Sequence, residues 1–124
     1  MLPTPPASGS AFPPEPIVLT RSHHGDPALR IGELVLAGEI DVSNCNQIVR
    51  EVDRLCAERC RRIRIDLGVV TFIDAATIGA LIRARDRARA AGCEVVLVAV
   101  NGLPLRMLQM LRLDTVLVER TSHG

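Results

Sequence analysis

Aromatic residues are almost missing from this chain. Its 124 residues include Phe12 and Phe72 but neither Trp nor Tyr. Two rings cannot form a platform on which bases stack. An excess of charge of one sign is missing too. Lys and Arg total 15 against 14 Asp and Glu, a formal net charge of +1, which leaves no electrostatic footprint for nucleic acid. No apolar run approaches the ~18 residues that would mark a membrane span. The opening segment "MLPTPPASGSAFPPEP" lacks the basic and apolar regions of a secretory signal, so the expected compartment is the cytoplasm. The four cysteines, Cys45, Cys56, Cys60 and Cys93, form no C-x-x-C pair. They are expected as thiols in an aliphatic core and not as metal ligands. His23, His24 and His123 are expected in solvent and take no role.

What is present is ordinary globular material, 48% apolar and 23% charged. A chain of this length buries roughly two-thirds of its unfolded surface and needs no staples. Residues 1–16 hold six of the eight prolines. That stretch cannot bury enough to offset its ordering entropy and reads as a disordered tail. Residues 17–124 read as one domain.

From Ile17 the patterns become regular. "IVLTR" reads as a strand, "HHGDP" as a turn, and "ALRIGELVLAGEI" as one or two strands with a bend near Gly32. In the next segment Ile48, Val49, Val52, Leu55 and Cys56 follow helical spacing, with Ser43 or Asn44 as N-cap. "RRIRIDL" places Ile63, Ile65 and Leu67 on one strand face, and "GVVTF" reads as a short loop. A second helix carries Ile78, Leu81, Ile82, Arg85 and Ala88 on one stripe and ends at Gly92. "CEVVLVAV" has the continuous apolar character of a covered strand. "NGLPLRMLQMLRL" is a short helix with Pro104 in its first turn. "TVLV" closes as a last strand. The order β-β-α-β-α-β-α-β predicts an α/β fold with a mixed, largely parallel sheet.

One stretch stands apart, "TFIDAATIGALIRA", Thr71 to Ala84. A strand end meets Asp74 at the N-cap position of the second helix, where a carboxylate accepts orphan amides and suits the helix dipole. A partner's donor is the alternative use of that carboxylate. Ala75 and Ala76 keep the helix entrance low. Gly79 inside the helix costs about 1 kcal/mol relative to Ala, which points to close packing, with close approach by a partner as the alternative. Arg83 lies one turn after Gly79, either on a solvated face or in contact with that partner.

Three segments together resemble the STAS domain of bacterial anti-anti-sigma factors (anti-sigma factor antagonists). "LAGEID" is similar to the family's G-E-[LI]-D strand end, and "IDLGVVTFIDAATIGAL" to its D-L-x-x-[VL]-x-[FY]-[IM]-D-S-S-G-[LI]-G segment. "PLRMLQMLRLDTVLV" is similar to its closing helix, turn and edge strand. The resemblance implies a binding module without enzymatic activity or cofactor. Its partner would be an anti-sigma factor that is itself a serine kinase with a nucleotide-binding fold, and binding would free a sigma factor. In the family, phosphorylation of the second Ser of the corner ends the interaction. Here Ala76 occupies that phosphoacceptor position and has no oxygen to modify. Thr77, in place of the motif Gly, is the candidate substitute. The resemblance makes Asp41, Asp74, Ala75, Ala76, Thr77, Gly79 and Arg83 the expected partner-binding residues. The rival reading is a STAS subunit without a phosphoswitch in a larger assembly, stressosome-like or a lipid-transport ATPase complex. An enzymatic reading would need Asp41, Asp66 and Asp74 to gather around Mg²⁺, and their spacing argues for it only weakly.

Overall fold

The computed structural model describes residues 18–26 and 28–119. The proline-rich segment 1–16, read above as a disordered tail, lies outside them. The elements are β1 (Val18–His24), β2 (Ile31–Ile40), α1 (Asn46–Ala57), β3 (Arg62–Ile73), α2 (Ala75–Ala90), β4 (Glu94–Val98), α3 (Gly102–Met110) and α4 (Asp114–Leu117). The four strands form one mixed sheet in the order β1-β2-β3-β4, with β1 antiparallel to β2 and the other pairs parallel. This is the expected α/β architecture.

Alternation builds the core. Leu34, Leu36 and Ile40 of β2, Ile63, Ile65 and Leu67 of β3, and Val95 and Leu97 of β4 are buried. Period-two spacing puts such residues on one face of a strand. They pack with the helix stripes, Ile48, Val52 and Leu55 of α1 and Ile78, Leu81, Ala84 and Ala88 of α2. Small Ala80, Ala84 and Ala88, all fully buried, set how closely α2 approaches the sheet. Arg87 clamps the two helices with a bidentate pair to Asp53 at 2.9 and 3.0 Å. Other ion pairs tie the strands together, including Arg64 with Glu33 and Glu119, and Arg62 with Glu94 and Glu119.

The structure corrects several local expectations. β2 runs unbroken through Gly32. A Cβ there would meet Cys60 Sγ at 3.1 Å and a Leu55 methyl at 3.2 Å, so that glycine serves close packing of the end of α1 and not a bend. The irregularity comes at Gly38, with φ of 87°, where the register with β3 slips. "GVVTF" is not a loop: β3 continues through it to Ile73 and stays paired with β2. "HHGDP" gives its two histidines to β1, and both are exposed. "TVLV" is not a strand: it supplies most of the short helix α4, and only Val118 makes a single parallel bridge, to Leu97.

Candidate functional site

Asp74 sits between the end of β3 and the start of α2, in extended conformation, and caps α2. Its Oδ1 accepts the Thr77 amide at 2.8 Å, which satisfies one of the orphan donors of the first turn. Its Oδ2 accepts the Val42 amide at 3.1 Å, from the turn between β2 and α1. One carboxylate therefore joins two segments 32 residues apart in sequence. Both oxygens are engaged inside the protein, so the capping reading of Asp74 is fulfilled.

Asp41 opens the neighbouring turn. Its Oδ1 accepts both the backbone amide (2.9 Å) and the hydroxyl (2.6 Å) of Ser43. The hydroxyl and then the amide hold the Asp41 carboxyl below its ordinary value. Asn44 is buried and works inside the same turn, accepting from the Asp41 amide at 2.9 Å and donating to the Glu39 carbonyl at 3.2 Å. Neither Ser43 nor Asn44 caps α1, because both side chains are occupied in this turn. The cap position belongs to Cys45, which provides no side-chain bond. Burial, and next the nearby Asp74 charge, push the Cys45 thiol up from its ordinary value. Asp41 and Asp74 thus border the same rim. Asp66 lies back in β3, paired with Val35 and Val98, and accepts the Gly68 amide at 2.7 Å. Among the described residues no three His, Cys, Asp or Glu are grouped to hold a metal ion.

Thr77 is 0% exposed. Its Oγ1 lies 2.9 Å from the Ile40 carbonyl and 2.8 Å from Asp74 Oδ1. Both are acceptors, so the single hydroxyl proton is shared between them. The hydroxyl that the sequence offers as a replacement phosphoacceptor therefore points inward, onto β2. Ala75 is exposed and Ala76 half-buried, so the outward side of this first turn is methyl groups. Gly79 is not closely packed. The nearest neighbour of a Cβ built there is Arg83 Nη1, at an ordinary 3.5 Å. Arg83 folds back past Gly79 and donates to Asn46 Oδ1 at 3.0 Å, bridging α2 to the start of α1.

Three exposed apolar side chains lie near this rim, in or beside the two segments around Asp41 and "GVVTF" expected to join the interface: Val42 (71% exposed), Val69 (60%) and Phe72 (38%).

A family model described as "Mlab, STAS domain" matches residues 28–119. The chain belongs to the STAS domain family. Solved structures agree on the fold. The anti-sigma factor antagonist SpoIIAA, a Bacillus cell fate determinant, superposes in its unphosphorylated form with a TM-score of 0.62 at 12% identity. That match covers 86% of this STAS domain chain and 91% of the other. An anti-sigma factor antagonist from Mycobacterium paratuberculosis gives 0.61 at 18% identity, over 85% and 88%. A third structure, Mglu, gives 0.55 at 20% identity over 64% of this chain, which spans only 19% of that one. Among the described residues of this STAS domain, no helix is long and apolar enough to cross a membrane.

Proposed function

We propose that this STAS domain is a protein-binding regulator of the anti-sigma factor antagonist kind, without enzymatic activity, and that the first turn of α2 in its docking corner carries no phosphoryl switch. The corner comprises the first turn of α2, the turn around Asp41 and the end of β3. Its partner is an anti-sigma factor of the serine-kinase type with a nucleotide-binding fold, and docking frees a sigma factor. The observation that carries the reading is a rigid, low, partly apolar corner whose only hydroxyl on the first turn of α2, that of Thr77, is buried and bonded. A kinase must bring its phosphoryl donor in line with an accessible oxygen. Ala76 has none, and Thr77 Oγ1 would have to leave two acceptors and the core. SpoIIAA, which shares the fold, has been solved in a phosphorylated form; on this reading the present domain binds without that control.

The second reading, a permanent STAS subunit of a larger assembly (stressosome-like or a lipid-transport ATPase complex), is favoured by the same missing switch, since a fixed subunit needs none. Capture of partners from a lysate with wild-type protein, Ala75→Arg and Asp74→Lys separates the two. The proposal expects a kinase-type anti-sigma factor with wild type alone, and no phosphate on the first turn of α2 after incubation with that kinase and ATP. Ala75 is exposed, so its replacement blocks the surface without disturbing the core. Equal capture of the same partner by Ala75→Arg, or phosphate on Thr77 of the folded protein, refutes the reading. Isolation of a stable multi-subunit particle instead establishes the second one.

A further inference from the structure

The opposite end of the molecule, where β2, β3 and β4 begin, holds a cavity of about 620 Å³ that the docking corner does not use. Three arginines line it: Arg61 just before β3, and Arg85 and Arg89 on the last turns of α2. Neither Arg61 nor Arg89 has an ion-pair partner among the described residues. Arg85, with 23% of its side chain exposed, has only a 3.5 Å contact with the more exposed Asp86. The one acid in the lining, Glu94, is approached by Arg62 at 3.4 Å. The whole chain carries a net charge of +1, so this cavity concentrates positive charge that the rest of the surface cancels.

The scaffold is fixed. The Arg61 amide donates to the Arg30 carbonyl at 2.8 Å, and its carbonyl accepts from the Glu94 amide at 3.0 Å, so sheet hydrogen bonds hold its backbone on both sides. Apolar groups complete the walls: Val95, half-buried Val96, and two large side chains left in solvent, Leu29 (70% exposed) and Val116 (50%). The volume lies within the roughly 300–1,000 Å³ of small-molecule sites.

We infer that this cavity binds a small phosphomonoester carrying a short apolar group. Three guanidinium forks exceed what one carboxylate can use, and they match the charge and the several acceptor oxygens of a phosphate dianion. Leu29 and Val116 take the apolar portion. A concave site that sets arginines beside apolar side chains suits a soluble ester better than a flat lipid surface, and the near-neutral chain has little general attraction for an anionic membrane. The site is independent of the docking corner.

Calorimetric titration of the full chain with butyl phosphate, inorganic phosphate and vesicles containing phosphatidic acid tests the inference. Butyl phosphate is expected to bind more tightly than inorganic phosphate, and more weakly as salt rises. Arg85→Gln and Arg89→Gln are each expected to weaken butyl phosphate by about tenfold or more, the loss of one charge-assisted contact, and Val116→Asp by a similar factor, because it replaces an apolar contact with a carboxylate that repels the phosphate. Arg89 and Val116 are exposed, so those two variants decide the matter if Arg85→Gln does not fold. Absence of butyl phosphate binding at millimolar concentration overturns the inference, as does unchanged affinity in the arginine variants. Equal binding of the two soluble phosphates removes the apolar wall from it. Binding to vesicles alone replaces it with a membrane surface.

Discussion

Replacing Thr77 with Val removes one oxygen from the interior and keeps the branched shape. The lost hydroxyl lies 2.9 Å from the Ile40 carbonyl and 2.8 Å from Asp74 Oδ1, in a residue with no exposed surface. Water cannot replace it without opening the helix start. A buried acceptor deprived of its donor costs about 1–3 kcal/mol, and more when it is charged. Asp74 Oδ1 keeps the residue 77 amide, so the expected loss is about 2 kcal/mol. With a urea m-value of about 2 kcal/mol/M, the unfolding midpoint falls by about 1 M. Asp74→Ala removes the cap and is expected to cost about 1 kcal/mol or slightly more. The two changes delete one shared contact, so the double variant should lose at least about 0.5 kcal/mol less than the sum of the singles. Urea titration followed by far-ultraviolet circular dichroism measures all four proteins. A Thr77→Val protein within about 0.5 kcal/mol of wild type, with strict additivity, would refute the reasoning. The hydroxyl would then not be held inside, and Thr77 would return as a candidate phosphoacceptor.

Gly79→Ala should raise stability by about 0.5–1 kcal/mol, because the helix gains propensity and the new methyl meets only Arg83 Nη1 at 3.5 Å. The same variant should weaken partner docking, so unfolding and capture measured side by side should move in opposite directions. Burial, and next the contact with Cys93, push the Cys56 thiol up to about 12 from an ordinary 9.0. Alkylation of Cys56 by iodoacetamide at neutral pH should therefore be markedly slower in the folded than in the unfolded chain, read by mass spectrometry. Ser43→Ala should bring the Asp41 carboxyl back up toward 3.8, as followed by NMR titration. Because the folded value is depressed, the Asp41 contribution is present above about 3.8 and is lost as pH falls through the lower folded value. Ser43→Ala should flatten that acid-side dependence.

The parts of the fold that follow a local period were legible. The stripe Ile48, Val52 and Leu55 and the alternation Ile63, Ile65 and Leu67 announced their elements and their buried faces. Asp74 as a cap was legible for the same reason, since the rule concerns neighbours three residues apart. The last part of β3 was missed because its burial loses period two near Val69, where the register with β2 shifts. "TVLV" has the composition of a strand, yet three of its four residues lie in a short helix begun by Asp114. Ser43 and Asn44 have the chemistry of caps, but here it is used by the Asp41 turn. The Val42 contact with Asp74 and the inward course of the Thr77 hydroxyl depend on segments more than 30 residues away. No local pattern reports them. Gly79 shows the same limit: its cost in a helix pointed first to close packing, and only the position of Arg83 reveals the room around it.

The Asp74 carboxylate has a mechanical consequence. It fastens the Val42 turn to the first turn of α2, and Arg83 fastens the same helix to Asn46 at the start of α1. The rim therefore yields as a unit or not at all. The Val42 amide lies in a surface turn, where hydrogen exchange would ordinarily be fast, but it is tethered to the helix cap. Its protection from exchange then reads the opening of the helix entrance. A partner that grips only one of the two segments holds the other through that tether.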